Sequence, residues 1–290
     1  MLAIAFTFVS CNKQERDVYE DYIVTDNPVP AYNGVSSLQI KNYINKLKVD
    51  LLGEQPTEAE FNQWLNTLIE YELSDSIRKV MVRSYTSDMR YYDRLFEWNS
   101  ANMLEALDYN ALDDQINTVA YVIDLQYQNG DTLSGQLLTV GLAKLQLLRD
   151  AAGDLEQGEI DIRGFYTRMI NNSFYDEINM GTENFVIATF ENLAGRLPTE
   201  YELASSKNMV DGELGLLFLE NGNNKDNFME IFMNSDAFRQ GVIQLQFDFL
   251  LARPANAVEL DELMPVLKST QDILPIQEYI LTSDEYAGFE

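Results

Sequence analysis

The residues able to do chemistry in this chain are defined first by what is missing. Among 290 residues there is no histidine and a single cysteine, Cys11. Histidine general bases, Ser–His–Asp triads, Cys–His pairs and zinc sites built on imidazole or thiolate are thereby excluded. No disulfide can close within the chain. What remains is oxygen and amine chemistry, dominated by 47 Asp and Glu against 20 Lys and Arg, a formal net charge of −27. Asp154, Glu156, Glu159 and Asp161 fall in a glycine-containing stretch that could offer oxygens to Ca²⁺. They miss the ligand order of an EF-hand loop, so a solvated acidic loop is the simpler reading. Asn221-Gly222-Asn223-Asn224-Lys225-Asp226 is a second oxygen-rich stretch, read as a plain turn. Glycoside hydrolysis would need two carboxylates facing across a cleft at roughly 5–10 Å, and no pair stands out by spacing. The aromatic run Tyr85, Tyr91, Tyr92, Phe96 and Trp98 could form a sugar platform, but its spacing puts several rings on one helix face, as core packing would.

Cys11 has a different context. Residues 1–9 run Met-Leu-Ala-Ile-Ala-Phe-Thr-Phe-Val without a charge, and Ser10-Cys11-Asn12-Lys13 follow. That apolar run is too short to cross a bilayer but has the size of a signal-peptide core. A small residue directly before a cysteine is where lipoprotein signals are cut and the thiol acylated. The stretch resembles the lipoprotein signals of the Bacteroidota, whose lipobox commonly ends Ser-Cys. Phe8-Val9-Ser10-Cys11 departs from the stricter proteobacterial form, which prefers Leu three residues before the cysteine. The resemblance implies lipidation at Cys11 and a place in a bacterial envelope, on the outer membrane, facing the periplasm or the cell surface. Residues 1–10 are then a signal peptide. Residues 11–36, with Pro28, Pro30 and Asn33-Gly34 and little periodicity, read as a flexible acidic tether, reaching on the order of 25–30 Å.

From Ser36 onward the pattern turns helical, giving a body over 37–290 with a candidate sub-boundary between 100 and 180. Ser36 and Gln39 make a capping box, and Ile40, Tyr43, Ile44, Leu47 and Leu51 recur at helical spacing before Gly53. The punctuation then repeats. Leu51-Leu52-Gly53-Glu54-Gln55-Pro56-Thr57-Glu58-Ala59-Glu60 is echoed by Leu193-Ala194-Gly195-Arg196-Leu197-Pro198-Thr199-Glu200-Tyr201-Glu202. Leu251-Ala252-Arg253-Pro254-Ala255-Asn256-Ala257-Val258-Glu259 is a looser copy. Each is a helix end, a proline turn and a new cap, predicting Thr57 with Glu60, Thr199 with Glu202, and Asn256 with Glu259 as structural caps. A second signature trails the corners, as Thr86-Ser87-Asp88, Asn234-Ser235-Asp236 and Thr282-Ser283-Asp284, again explained by caps. The expectation is an all-α fold with helix-turn-helix corners repeated about three times around one elongated or two small cores. Residues 105–160 are harder to assign. Ile116, Val119, Ala120, Ile123 and Tyr127 fit a helix, whereas Tyr121, Ile123, Leu125 and Tyr127 before Asn129-Gly130 also fit a hairpin; the helix is preferred.

The run Asp50-Leu51-Leu52-Gly53, Pro56-Thr57, Glu60 and Ser87-Asp88 resembles planctomycete-type helical domains of unknown function found in bacterial surface proteins. Residues 39–98 carry the resemblance best, 185–240 and 243–290 less well, and 100–165 hardly at all. It implies a fold and is silent on function; Cys-x-x-Cys-His is absent, so no cytochrome module accompanies it.

The expected function is a membrane-anchored, non-enzymatic accessory or scaffold lipoprotein of an outer-membrane assembly. A surface glycan-binding lipoprotein and a carboxylate-based hydrolase are the alternatives. The expected partners are the membrane, through the lipid, and proteins of the same envelope. A surface this acidic repels phosphate backbones, so no nucleic acid is expected. No catalytic, cofactor-binding or metal-binding residue is assigned.

Overall fold

The capping chemistry written into the sequence sets the helix boundaries. In the computed structural model, which describes residues 34–289, α1 (Ser37–Leu52) starts where the Ser36 hydroxyl accepts the Gln39 N–H and the Gln39 side chain accepts the Ser36 N–H. It buries Ile40, Tyr43, Ile44, Leu47 and Leu51 and ends at Gly53, whose φ of 72° favours glycine. Across the first corner, α2 (Glu58–Glu70) opens on the Thr57–Glu60 box. Then follow α3 (Asp75–Thr86) and α4 (Met89–Met103), the latter capped by the Asp88 carboxylate. Two long helices come next, α5 (Tyr109–Gln128) and α6 (Thr132–Arg149), packed against each other as an antiparallel hairpin. Shorter helices return the chain to the core: α7 (Ala151–Glu156), α8 (Ile162–Ile170) and α9 (Ser173–Ile178). α10 (Thr182–Ala194) and α11 (Glu200–Val210) flank the second corner, which exits through Gly195 and restarts at the Thr199–Glu202 box. A two-stranded ribbon, β1 (Gly215–Leu217) and β2 (Glu220–Gly222), leads to α12 (Lys225–Met233) and α13 (Asp236–Leu251). The third corner separates α13 from α14 (Ala257–Thr270), capped by Asn256 and Glu259. The last elements are α15 (Leu274–Leu281) and α16 (Asp284–Ala287).

The fold is all-α, with helix over 74% of the described residues and one two-stranded sheet among them. Among the described residues, the buried hydrophobic side chains other than Ile123 form one cluster from Val35 to Ala287. The first and last described helices are tied together: the Tyr43 hydroxyl donates to the Leu281 carbonyl at 3.0 Å, and the Gln39 amide donates to the Gly288 carbonyl at 2.7 Å. α10 and α13 approach so closely at Gly241 that a Cβ there would lie 2.0 Å from the Leu193 carbonyl oxygen. Glycine at 241 is therefore a packing requirement.

Two local expectations are settled. Tyr121 to Tyr127 are helical, and Asn129-Gly130 turns one helix into the next instead of closing a hairpin. The hairpin lies elsewhere. The stretch from Asn221, read as a plain turn, contributes Asn221 and Gly222 to β2, which pairs with β1 in the register Leu216 to Asn221, while Asn224 caps α12. The ribbon is only three residues per strand. Its turn puts Phe218 and Leu219 at positive φ, 49° and 69°, without the Asn or Gly that normally announces such a turn.

Cys11, the apolar segment before it and nearly all of 11–36 lie outside the described residues. Among the described residues, no helix is long and apolar enough to cross a membrane.

Candidate functional site

The three corners share a feature beyond their caps. Each capping glutamate is also held by a cation. In the first corner Lys48, reaching across from α1 with its side chain buried, places Nζ 3.0 Å from Glu60 and 2.9 Å from Glu54. In the second, the Arg196 guanidinium takes both Glu202 oxygens at 2.7 and 2.8 Å. In the third, Arg253 takes both Glu259 oxygens at 2.7 and 2.9 Å and pairs with Glu285 as well. The consequence is electrostatic. The Thr57 hydroxyl and backbone N–H, helped by Lys48, pull the Glu60 carboxyl down to about 2. Arg196 first, then the Thr199 N–H, pulls Glu202 down to about 2. Arg253 holds Glu259 and Glu285 below their ordinary range. A carboxylate so stabilised as an anion is a poor general acid at neutral pH. These groups hold the corners together.

A cleft of about 630 Å³ lies where α3 meets the third corner and the C-terminal helices, and Arg78, Phe247, Leu263 and Tyr279 are among the residues lining it. Its guanidinium groups are already partnered. Arg78, almost fully buried, pairs with Asp75 at 2.7 Å and with Asp284 at 2.8 Å. Arg253 pairs with Glu259 and Glu285, and Arg83 beside the cleft binds Glu278 in bidentate fashion. The Ser283-Asp284 signature is thus more than a cap, because Asp284 reaches back to a helix 206 residues earlier. The signal for Arg78 was present as a repeat: Ser74-Asp75-Ser76-Ile77-Arg78 and Ser235-Asp236-Ala237-Phe238-Arg239 form the same i,i+3 pair with a buried arginine.

A second cleft, about 460 Å³, joins two groups that the sequence flags separately: Tyr91 and Tyr92 from the aromatic run, and Glu159 and Asp161 from the acidic stretch, with Asp272 beside them. Burial pushes the Asp272 carboxyl up. Burial also pushes Asp161 up, but the Arg163 guanidinium and the Gly164 and Arg163 N–H groups outweigh it and bring the group below its ordinary value. Asp161 caps α8, and both its oxygens are already engaged, one by the two N–H groups and the other by the Arg163 guanidinium. Asp154 is paired with Arg168 at 2.6 Å. Among the described residues, no three acidic side chains converge as a cation site would need. Of the aromatic run, Tyr85, Tyr91, Phe96 and Trp98 are buried and Tyr92 is half-buried, as is Trp64. The Tyr91 hydroxyl donates to Gln277 at 2.6 Å inside the core.

Among the described residues, one helix face is apolar and uncovered. α6 buries Leu145 and Leu148 and packs along α5 and, toward its C-terminal end, against α7, α8 and α9. On its outer side Leu133, Leu137, Val140 and Leu147 are 67, 67, 59 and 47% exposed. These positions follow i, i+4, i+7 and i+14, a helical stripe interrupted at i+11 by Lys144. α6 contains no Asp or Glu. Its two cations are tied inward, Lys144 to the Asn171 side chain at 2.8 Å and Arg149 to Asp113 at 2.8 Å. The signal for this surface was a segment carrying two apolar stripes; only one of them is covered.

Comparison with protein-family models, with curated proteins and with solved structures finds no match for this chain.

Proposed function

We propose that this chain is a non-enzymatic accessory or scaffold lipoprotein of an outer-membrane assembly, anchored through a lipid on Cys11 and presenting its helical body to partners on the same membrane. The observation that carries the binding role is the bare apolar face of α6. A contiguous apolar patch of several large side chains on an otherwise strongly charged surface marks an interaction site. Covering four side chains that are each about half to two-thirds exposed gains on the order of 5 kcal/mol of transfer free energy. The absence of histidine and the engagement of the corner carboxylates and of Asp161 in caps and ion pairs support a non-enzymatic role. The Ser10-Cys11 sequence and the polar residues after it support the anchor.

The test is crosslinking in intact envelopes followed by detergent solubilisation and affinity capture. The wild-type chain should bring down other envelope proteins, and Leu137→Glu should lose them. Capture of the chain alone would count against the scaffold role. Cys11→Ser should release the protein from the membrane fraction, and continued retention would refute the anchor.

A further inference from the structure

We propose that a cleft between α4, α10 and α13 binds a neutral N-acetylated sugar, at a site independent of the scaffold reading because no residue of α6 lines it. The cleft encloses about 410 Å³, within the roughly 300–1,000 Å³ of small-ligand sites. A hydrogen-bond relay through the core ends at its floor. The Tyr91 hydroxyl donates to Gln277 Oε1 at 2.6 Å, and Gln277 Nε2 donates to Gln246 Oε1 at 2.8 Å. Tyr91 is buried and has one proton to give, so the relay runs in this direction only; reversing both amides would strand that proton. Gln246 therefore ends the relay as a donor. It lines the cleft and is only 4% exposed, and among the described residues its amide nitrogen meets no acceptor. On the α4 side Trp98 lines the same cleft, is 8% exposed, and has its indole N–H unpartnered. Buried donors without an acceptor are costly. A ligand oxygen seated between the two helices satisfies both.

The rest of the lining selects what carries that oxygen. Among the described residues no Lys or Arg lines the cleft, and the exposed carboxylates of Glu191 and Asp248 do. Such acids repel phosphates, uronic acids and other anions. As charged acceptors they bind hydroxyl groups well. An ammonium group would suit the acids but leave both buried donors unpaired. Phe249, 40% exposed on α13, offers an aromatic face, and Leu95, Met103 and Leu245 add apolar surface. The ligand is therefore uncharged, with a strong acceptor for the buried donors, hydroxyls for the acids, and apolar faces of its own. An N-acetylhexosamine meets each condition. Its acetamido carbonyl takes the Gln246 and Trp98 protons, its methyl group meets the aliphatic residues, and its ring hydroxyls face Glu191 and Asp248. The platform for the C–H side of the ring is Phe249, which lies outside the Tyr85-to-Trp98 run; Trp98 contributes its N–H.

The chain supplies its own reporter. It has two tryptophans, Trp98 in the cleft and Trp64 on α2, which does not line it. Two indole N–H signals thus read the site and an internal control.

The test titrates the purified full-length chain with N-acetylglucosamine and with N-acetylgalactosamine, following both indole signals by proton–nitrogen NMR and assigning them with Trp64→Phe. At least one sugar should move the Trp98 signal saturably, with a Kd on the order of 1 mM, and leave the Trp64 signal in place. Glucose, which lacks the acetamido carbonyl, should bind at least about tenfold more weakly. Phe249→Ala, with an unchanged circular dichroism spectrum, should weaken binding about fivefold or more. Gln246→Glu keeps the acceptor for Gln277 and turns the donor at the cleft into an acceptor, so it should cost at least about tenfold. Tyr121→Ala, at an exposed tyrosine on α5, should bind as wild type does. The proposal is overturned by no saturable shift with either sugar up to about 50 mM, or by equal movement of both indole signals. Glucose binding as tightly as the acetamido sugars, or Phe249→Ala binding like wild type, overturns it too. If Gln246→Glu fails to fold, the glucose and Phe249→Ala comparisons decide. The two ideas fail separately: a chain that binds no sugar can still lose envelope partners through Leu137→Glu, and one that captures no partner can still bind sugar.

Discussion

Glu202→Gln isolates the ionic part of a corner from its cap. Glutamine can close a capping box, as Gln39 does with Ser36 at the start of α1, so the substitution keeps the helix start and removes the charge. In the native corner Glu202 accepts the Thr199 N–H at 2.8 Å and both arms of Arg196. Its carboxyl falls from an ordinary 4.5 to about 2, chiefly through Arg196. A group depressed by folding stabilises the protein above its unfolded value, and that contribution is lost as pH falls from 4.5 toward 2. The full shift corresponds to roughly 3.4 kcal/mol at about 1.4 kcal/mol per unit. Arg196 is 42% exposed, so water screens the pair, and about half of that, roughly 1.5–2 kcal/mol, is the expected loss at neutral pH. Urea unfolding of wild type and variant at pH 7 and pH 3 measures it. The gap should appear at pH 7 and shrink by more than about half at pH 3, where the unfolded carboxyl is protonated and the folded one is still largely ionised. A gap below about 0.3 kcal/mol at pH 7, or one that does not change with pH, would refute the argument.

Other substitutions probe the fold from different directions. Gly241→Ala forces a methyl group into the Leu193 carbonyl, so α10 and α13 must separate, and the expected loss is at least about 2 kcal/mol by denaturant midpoint. Ala252→Gly should do the opposite. Ala252 ends α13 at φ 53°, where the first two corners use glycine, and relieving that strain should raise stability by about 0.5–1 kcal/mol after the added freedom of the unfolded chain is counted. A lower melting temperature would contradict this. Leu137→Glu should leave folding stability within about 0.5 kcal/mol of wild type because the side chain sits in water, and a large thermal shift would show that the face is packed.

Much of the architecture was legible because helix punctuation is local chemistry. Ser36 with Gln39, Thr57 with Glu60, Thr199 with Glu202 and Asn256 with Glu259 are each three residues apart, within reach of one turn, and all four boxes form. Longer-range features escaped for the converse reason. Lys48 reaches Glu60 across a corner, and Asp284 reaches Arg78 across the whole body, so neither pairing leaves a spacing signal. The ribbon at 215–222 was hidden because its strands are too short for an alternation and its turn lacks Gly or Asn. The bare face of α6 illustrates a further limit. Periodicity marks which residues share a side of a helix, but only the packed structure shows which side is covered. Leu145 and Leu148 go inward and Leu133, Leu137 and Val140 do not, although all are apolar.

The central claim, that this chain is an anchored scaffold whose α6 face makes its contacts, is tested most directly by crosslinking in intact envelopes with wild type and Leu137→Glu side by side. The account predicts that wild type is captured with other envelope proteins, and that Leu137→Glu, equally abundant and equally membrane-bound, is captured without them. Recovery of the same proteins by both chains, or of the wild-type chain alone, would contradict it.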